Sequence, residues 1–204
     1  MPKMLRRTDS LRPDQMEPDQ KNLYEAITRG ARAQGPQHFA LTDNQGRLNG
    51  PFGDFLLSPS VGMALQGLGA ALRYETELPA RARELAILLV AARHHSTFER
   101  ESHEAVAGAL GFSWAELDAI RREDLTPFDG VELLVGRTVL ALLDGDLGDC
   151  AWYEAEDELG QRMVFELVTL VGYYSTLALQ LRVFRVDSQK AADNPSRGLL
   201  PVAD

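Results

Sequence analysis

The chain has 204 residues, 45% hydrophobic and 25% charged, which is enough apolar material for one compact domain with a sizeable core. A formal net charge of -9 argues against a nucleic-acid partner, because neutralising phosphates takes clustered Lys and Arg; small molecules or proteins are expected instead. The single cysteine, Cys150, excludes an internal disulfide framework and any Cys-x-x-Cys redox or zinc pair, and a reducing compartment, most simply the cytoplasm, is expected.

Lys3, Arg6 and Arg7 are not followed by the apolar stretch of a leader, and no run reads as long enough to cross a bilayer, so no membrane partner is expected. Residues 1–19 are polar and contain Pro2, Pro13 and Pro18, which predicts a flexible or loosely docked arm ahead of a domain at 20–187. A short helix is expected from about Asp19 to Gly30. Up to Pro59, Gly35-Pro36, Asn44-Gln45-Gly46 and Asn49-Gly50-Pro51 read as successive turns. Phe39, Leu41, Phe52, Phe55, Leu56 and Leu57 predict that this irregular segment packs down on the domain.

Ser58-Pro59 supplies the cap and first turn of a helix ending near Tyr74, with Val61, Leu65, Leu68 and Leu72 at helical spacing. Pro79 starts a helix that is apolar nearly all round, through Leu85, Ile87, Leu88, Leu89, Val90 and Ala92, and therefore belongs at the centre. The next helix, from about Thr97 to Leu110, stops at Gly111, and Ser113-Trp114-Ala115-Glu116 forms a capping box for another. A helix over 127–143, a short one holding Trp152 and Tyr153, and a last one from about Arg162 to Val183 complete the domain before a polar tail at 188–204. With no strand or repeat, the fold class is all-α.

Chemistry is concentrated in two places. At about 100° per residue, Ser96, Glu99 and His103 fall within a sector of roughly 60°, and Phe98, Ala105, Val106 and Ala109 are expected to keep water from them. Burial would raise the carboxylate pKa and lower that of the imidazole, while their mutual attraction acts the other way. Such a pair suits proton transfer near neutral pH; the alternative is an ordinary surface pair. Glu84 lies within an apolar helix and needs a partner: it is either part of the site or in a buried ion pair with Arg81, Arg83 or Arg93. His94 and His95, with Glu99 and His103, raise a metal site only weakly, since adjacent histidines diverge on a helix, and none is assigned. Ser96 reads as a helix cap and Cys150 as a structural thiol. Tyr173 and Tyr174 are either core aromatics or donors of a hydroxyl to the pocket.

The run Leu78-Pro79-Ala80-Arg81-Ala82-Arg83-Glu84-Leu85-Ala86-Ile87-Leu88, then Phe98-Glu99, His103 and Gly111-Phe112-Ser113, resembles the carboxymuconolactone decarboxylase family. Asn49-Gly50-Pro51-Phe52, Ser58-Pro59, Glu166-Leu167-Val168 and Gly172-Tyr173-Tyr174 resemble its longer members, so the likeness spans roughly 20–187. It implies an alkylhydroperoxidase D-like bundle of about six to eight helices after an irregular N-terminal segment, assembled into homo-oligomers with sites near subunit contacts. It also implies a choice between decarboxylation and thiol peroxidase chemistry. Ser96 and Glu99 stand where the peroxidases carry their two cysteines, which removes the usual thiol route. Arg100 stands where close members commonly have Trp.

The expectation is a cofactor-free lyase acting on a small carboxylated lactone or keto acid, with His103, Glu84 and Glu99 catalytic and Arg93, Ser96 and His94 binding substrate. Stabilising an enolate and returning a proton to carbon are tasks these groups can perform. The alternative is a catalytically silent or ligand-binding helical oligomer.

Overall fold

The structure, a computed structural model, describes residues 6–30 and 39–186. The turn expected at Gly35-Pro36 and the polar tail lie outside the described residues. Among these, eight α-helices and no strand are found: α1 (Pro18–Arg29), α2 (Pro51–Phe55), α3 (Pro59–Tyr74), α4 (Ala80–Arg93), α5 (Thr97–Ala109), α6 (Trp114–Arg121), α7 (Gly130–Asp144) and α8 (Asp149–Phe184). The all-α expectation holds.

The helix that is apolar all round does lie at the centre. Leu85, Ala86, Ile87, Leu88, Leu89 and Val90 are all buried, and α4 packs against α5, α6, α7 and α8. The helix ends follow their local chemistry. Ser113 and Glu116 form the capping box, and Gly111 takes the left-handed position after α5, where Phe112 N–H donates to Ala107 C=O. The two helices expected around Trp152 and from Arg162 are the two stretches of α8, which meet at Gly160, whose φ of 77° is not helical.

By length and composition alone α8 is long and apolar enough to cross a membrane, and half of its most apolar stretch is buried within the protein. The expectation that no run has that length is corrected on this point. The helix expected from about Arg162 to Val183, which follows the break at Gly160, has that length by itself at about 1.5 Å per residue.

Two further expectations change. Of the stripe Val61, Leu65, Leu68, Leu72 only Leu72 is fully buried, and Val61 and Leu68 are exposed; Gly62 and Gly69 join Leu72 on the inner face of α3. A Cβ on Gly62 would lie 2.5 Å from Phe55 O and 2.7 Å from Leu23 Cδ2, so close approach of α1 and α2 selects the glycine side.

The arm, over its described part, is firmly docked. Arg6 reaches buried Asp54 at 2.6 Å, Thr8 Oγ1 donates to the same oxygen, and Arg7 N–H donates to Phe184 C=O. A buried carboxylate needs a counter-charge, and the arm provides it. The segment leading to α2 packs down as expected, with Phe52, Phe55 and Leu56 buried, although Leu57 is exposed.

Candidate functional site

Glu84 lies one turn into α4 and is 1% exposed; His103, in the middle of α5, is 4% exposed. Because these two helices pack together, Nδ1 of His103 comes within 2.6 Å of Glu84 Oε2, and this pairing answers the question of what partners the buried acid. Arg83 lies at the margin of ion-pair range, 4.0 Å from Oε1. Arg81 pairs instead with Glu116 and Glu132. Burial is the largest influence on Glu84 and alone would raise its pKa. The charge and hydrogen bond of His103, with the charges of Arg73 and Arg83, outweigh it, so the carboxyl lies below its ordinary value of 4.5.

The second imidazole nitrogen faces a different acid. His103 Nε2 is 3.6 Å from Glu99 Oε2, outside hydrogen-bond range but close enough for charge to matter. Glu99 is buried at 3% exposure, so the surface-pair reading of Glu99 and His103 is overturned. Tyr174 meets the His103 ring edge to face, with centroids 5.2 Å apart, and Tyr173 meets Tyr174 in the same way. Burial is the main cause holding the Tyr174 phenol well above its ordinary pKa, so it keeps its proton. The two tyrosines are at once core aromatics and part of the site.

Glu99, His103, Tyr173 and Tyr174 border a cavity of ≈ 20 Å³, space for about one water molecule. Phe39 and Phe98, themselves edge to face at 6.3 Å, line it as well. Its shape depends on Gly50: with φ at 61°, this residue lies so close to Phe98 that a Cβ would fall 2.1 Å from the ring. Of the apolar shield expected on α5, only Phe98 is buried; Ala105 and Ala109 are exposed and Val106 is half-buried.

Two polar lining residues, Arg73 and Ser102, are not anticipated from the sequence. Arg73, in the last turn of α3, brings the cavity a cation, and no local spacing could have linked it to α5. Ser102 is buried, with no hydrogen-bond partner for its hydroxyl among the described residues, and its place three residues after Glu99 is a usable signal.

The remaining candidates do not converge on this cavity. Ser96 precedes α5 with extended backbone (φ -82°, ψ 103°), so the helical wheel does not extend to it, and it lines a separate cavity. It also makes no capping hydrogen bond, contrary to expectation. Arg93 is held by Glu123 through three contacts of 2.7–3.1 Å and by Asp144 at 2.6 Å, which leaves it no free edge for a substrate carboxylate. His94 lies 3.1 Å from Ser175 Oγ on α8, and burial foremost lowers its pKa from 6.5. His95 takes the left-handed position after α4, where glycine is usual, and turns toward the Ser96 cavity. Among the described residues no group of three or more His, Cys, Asp or Glu is arranged to hold a metal, so the four groups that raised that idea do not come together as ligands. Compared with known proteins, the chain matches no protein-family model and no curated protein.

Proposed function

We propose that this chain is a cofactor-free lyase like the carboxymuconolactone decarboxylases, releasing carbon dioxide from a small lactone or keto acid and working as a homo-oligomer. The observation that carries the reading is the buried 2.6 Å contact between Glu84 and His103, which leaves the other nitrogen of the same imidazole on a cavity with Glu99 and Arg73. Ionised Glu84 accepts a hydrogen bond from Nδ1–H and fixes the ring, so Nε2 is the position that gains and gives protons. The bond from carbon to the departing carboxylate breaks, and its electron pair passes into the neighbouring carbonyl as an enolate. Arg73, which lines the cavity, brings positive charge to the developing enolate, and Nε2, protonated beforehand from solvent by way of Glu99, gives its proton to carbon. Glu99, 3.6 Å from Nε2, reloads that nitrogen with a proton from solvent for the next turnover.

A second reading, a silent or ligand-binding oligomer, is favoured by one observation: a cavity of ≈ 20 Å³ does not admit a lactone acid as it stands. The enzyme reading requires Phe39 and Phe98 to part. In both readings a second copy covers the apolar stripe Phe165, Val168, Leu179 and Val183, exposed at helical spacing along α8. Phe165→Asp is expected to give a smaller species by light scattering; an unchanged mass removes this face from the contact.

The activity is tested with a panel of lactone acids and β-keto acids, assayed for carbon dioxide release. Turnover of at least one member is expected, falling about 10²- to 10⁴-fold in His103→Ala. No release from any member, or turnover intact in the variant, favours the second reading.

A further inference from the structure

The cavity at Ser96 is separated from the His103 cavity along α5 and is the larger of the two, ≈ 190 Å³ against ≈ 20 Å³. Its lining includes His95, Ser96, Thr97, Arg100 and Arg121. We infer that it binds a small oxyanion, the carboxylate or phosphate group of a small molecule.

Several features of the sequence converge there. α5 is 13 residues long, and the first N–H groups of such a helix have no acceptor within it and carry the positive end of its dipole. A serine at the cap ordinarily satisfies one of these donors, yet Ser96 does not. Ser96 is 97% buried and lines the cavity, and its hydroxyl has no hydrogen-bond partner among the described residues. One turn further on, Arg100 also lines the cavity, with its Nε buried and likewise without a hydrogen-bond partner. Arg121 comes from α6, and Glu104 already takes two of its nitrogens at 2.8 and 2.9 Å, which leaves it partly neutralised. Arg100 is therefore the main charge on offer, and Ser96 and the helix start supply directed donors. An oxyanion satisfies all three, since its oxygens accept from a guanidinium, a hydroxyl and backbone N–H groups together. A neutral apolar ligand would leave the Ser96 hydroxyl and the Arg100 Nε unpaired in a buried place.

The site does not depend on the proposed decarboxylase chemistry, and its test reads binding rather than turnover. Backbone amide NMR shifts of the full chain are followed while inorganic phosphate or acetate is added at constant ionic strength. Saturable shifts at Ser96, Thr97 and Phe98 are expected with at least one of the two. Saturation by phosphate alone assigns a phosphate group, by acetate alone a carboxylate, and by both an oxyanion site of either kind. Arg100→Gln is expected to weaken binding about tenfold. Arg122→Gln, an exposed arginine paired with Asp118, is expected to leave it unchanged. Ser96→Ala provides a second variant, expected to weaken binding several-fold without removing a charge. The proposal is overturned if neither anion gives saturable shifts at the start of α5, or if Arg100→Gln and Arg122→Gln bind alike.

Discussion

The two ends of α4 carry acids and bases in close contact, and they differ in what surrounds them. At the far end, Arg93 grips Glu123 and Asp144 with all three side chains at least a quarter open to solvent. Near the start, Glu84 and His103 meet at a similar distance with almost no exposure. Distance alone does not separate the two clusters; water does. Exposed pairs gain little because solvent already serves both charges, whereas a buried pair has only its partner. The first cluster therefore fastens α4 to its neighbours, while the second holds a proton under the control of one hydrogen bond.

Breaking the buried end should cost most. Glu84→Ala leaves Nδ1 of the imidazole without its carboxylate acceptor and opens a gap in the core, and denaturant unfolding should show a loss of about 3–5 kcal/mol. Glu84→Gln, which keeps the volume, should lose less stability and still disable proton transfer. A Glu84→Ala variant as stable as the parent would mean that the pair is not what satisfies this part of the core.

The pH dependence of unfolding sharpens the contrast at an intermediate scale. His94 has its folded pKa below 6.5 and Glu84 below 4.5. In both cases the unfolded chain takes up the proton first, so stability is fully present above the unfolded value and is lost as pH falls through the folded one. Unfolding midpoints should hold above about pH 6.5 and decline in two stages, first from His94 and then, below about pH 4.5, from Glu84 together with the other depressed carboxyls, Asp43 and Glu116 among them. His94→Gln should abolish the upper stage; midpoints that rise on acidification would reverse the assignment.

The smallest effect belongs to the exposed end. Arg93→Ala should reduce stability by no more than about 1 kcal/mol and leave the site geometry intact. A loss as large as that of Glu84→Ala would erase the distinction between the two ends.

These regions also differ in how much of them was legible in the sequence. The central place of α4, the stop at Gly111 and the box at Ser113 and Glu116 follow from local rules, and local rules decided them. Glu99 and His103 share a face because both lie inside α5. Ser96 does not join them, since a residue at the cap has left the helix before the wheel begins. Arg93 resembled a substrate-binding cation only until Glu123 and Asp144 arrived from other elements. Arg73 gave no local sign at all, because its place at the cavity depends on how α3 packs. The docking of Arg6 follows in the same way from the burial of Asp54, a tertiary fact. Periodicity located the acid and the imidazole, and long-range packing determined which charges serve them.

The central claim is that an ionised, buried Glu84 fixes the His103 ring by accepting from Nδ1, leaving Nε2 to exchange protons in the cavity. Nitrogen-resolved NMR of the histidine rings at neutral pH tests it directly, with Glu84→Gln as the comparison. The account predicts a proton on Nδ1 of His103 in a strong, downfield-shifted hydrogen bond that is lost or weakened in the variant. A His103 ring carrying its proton on Nε2 alone, with no change on replacing Glu84, would contradict it.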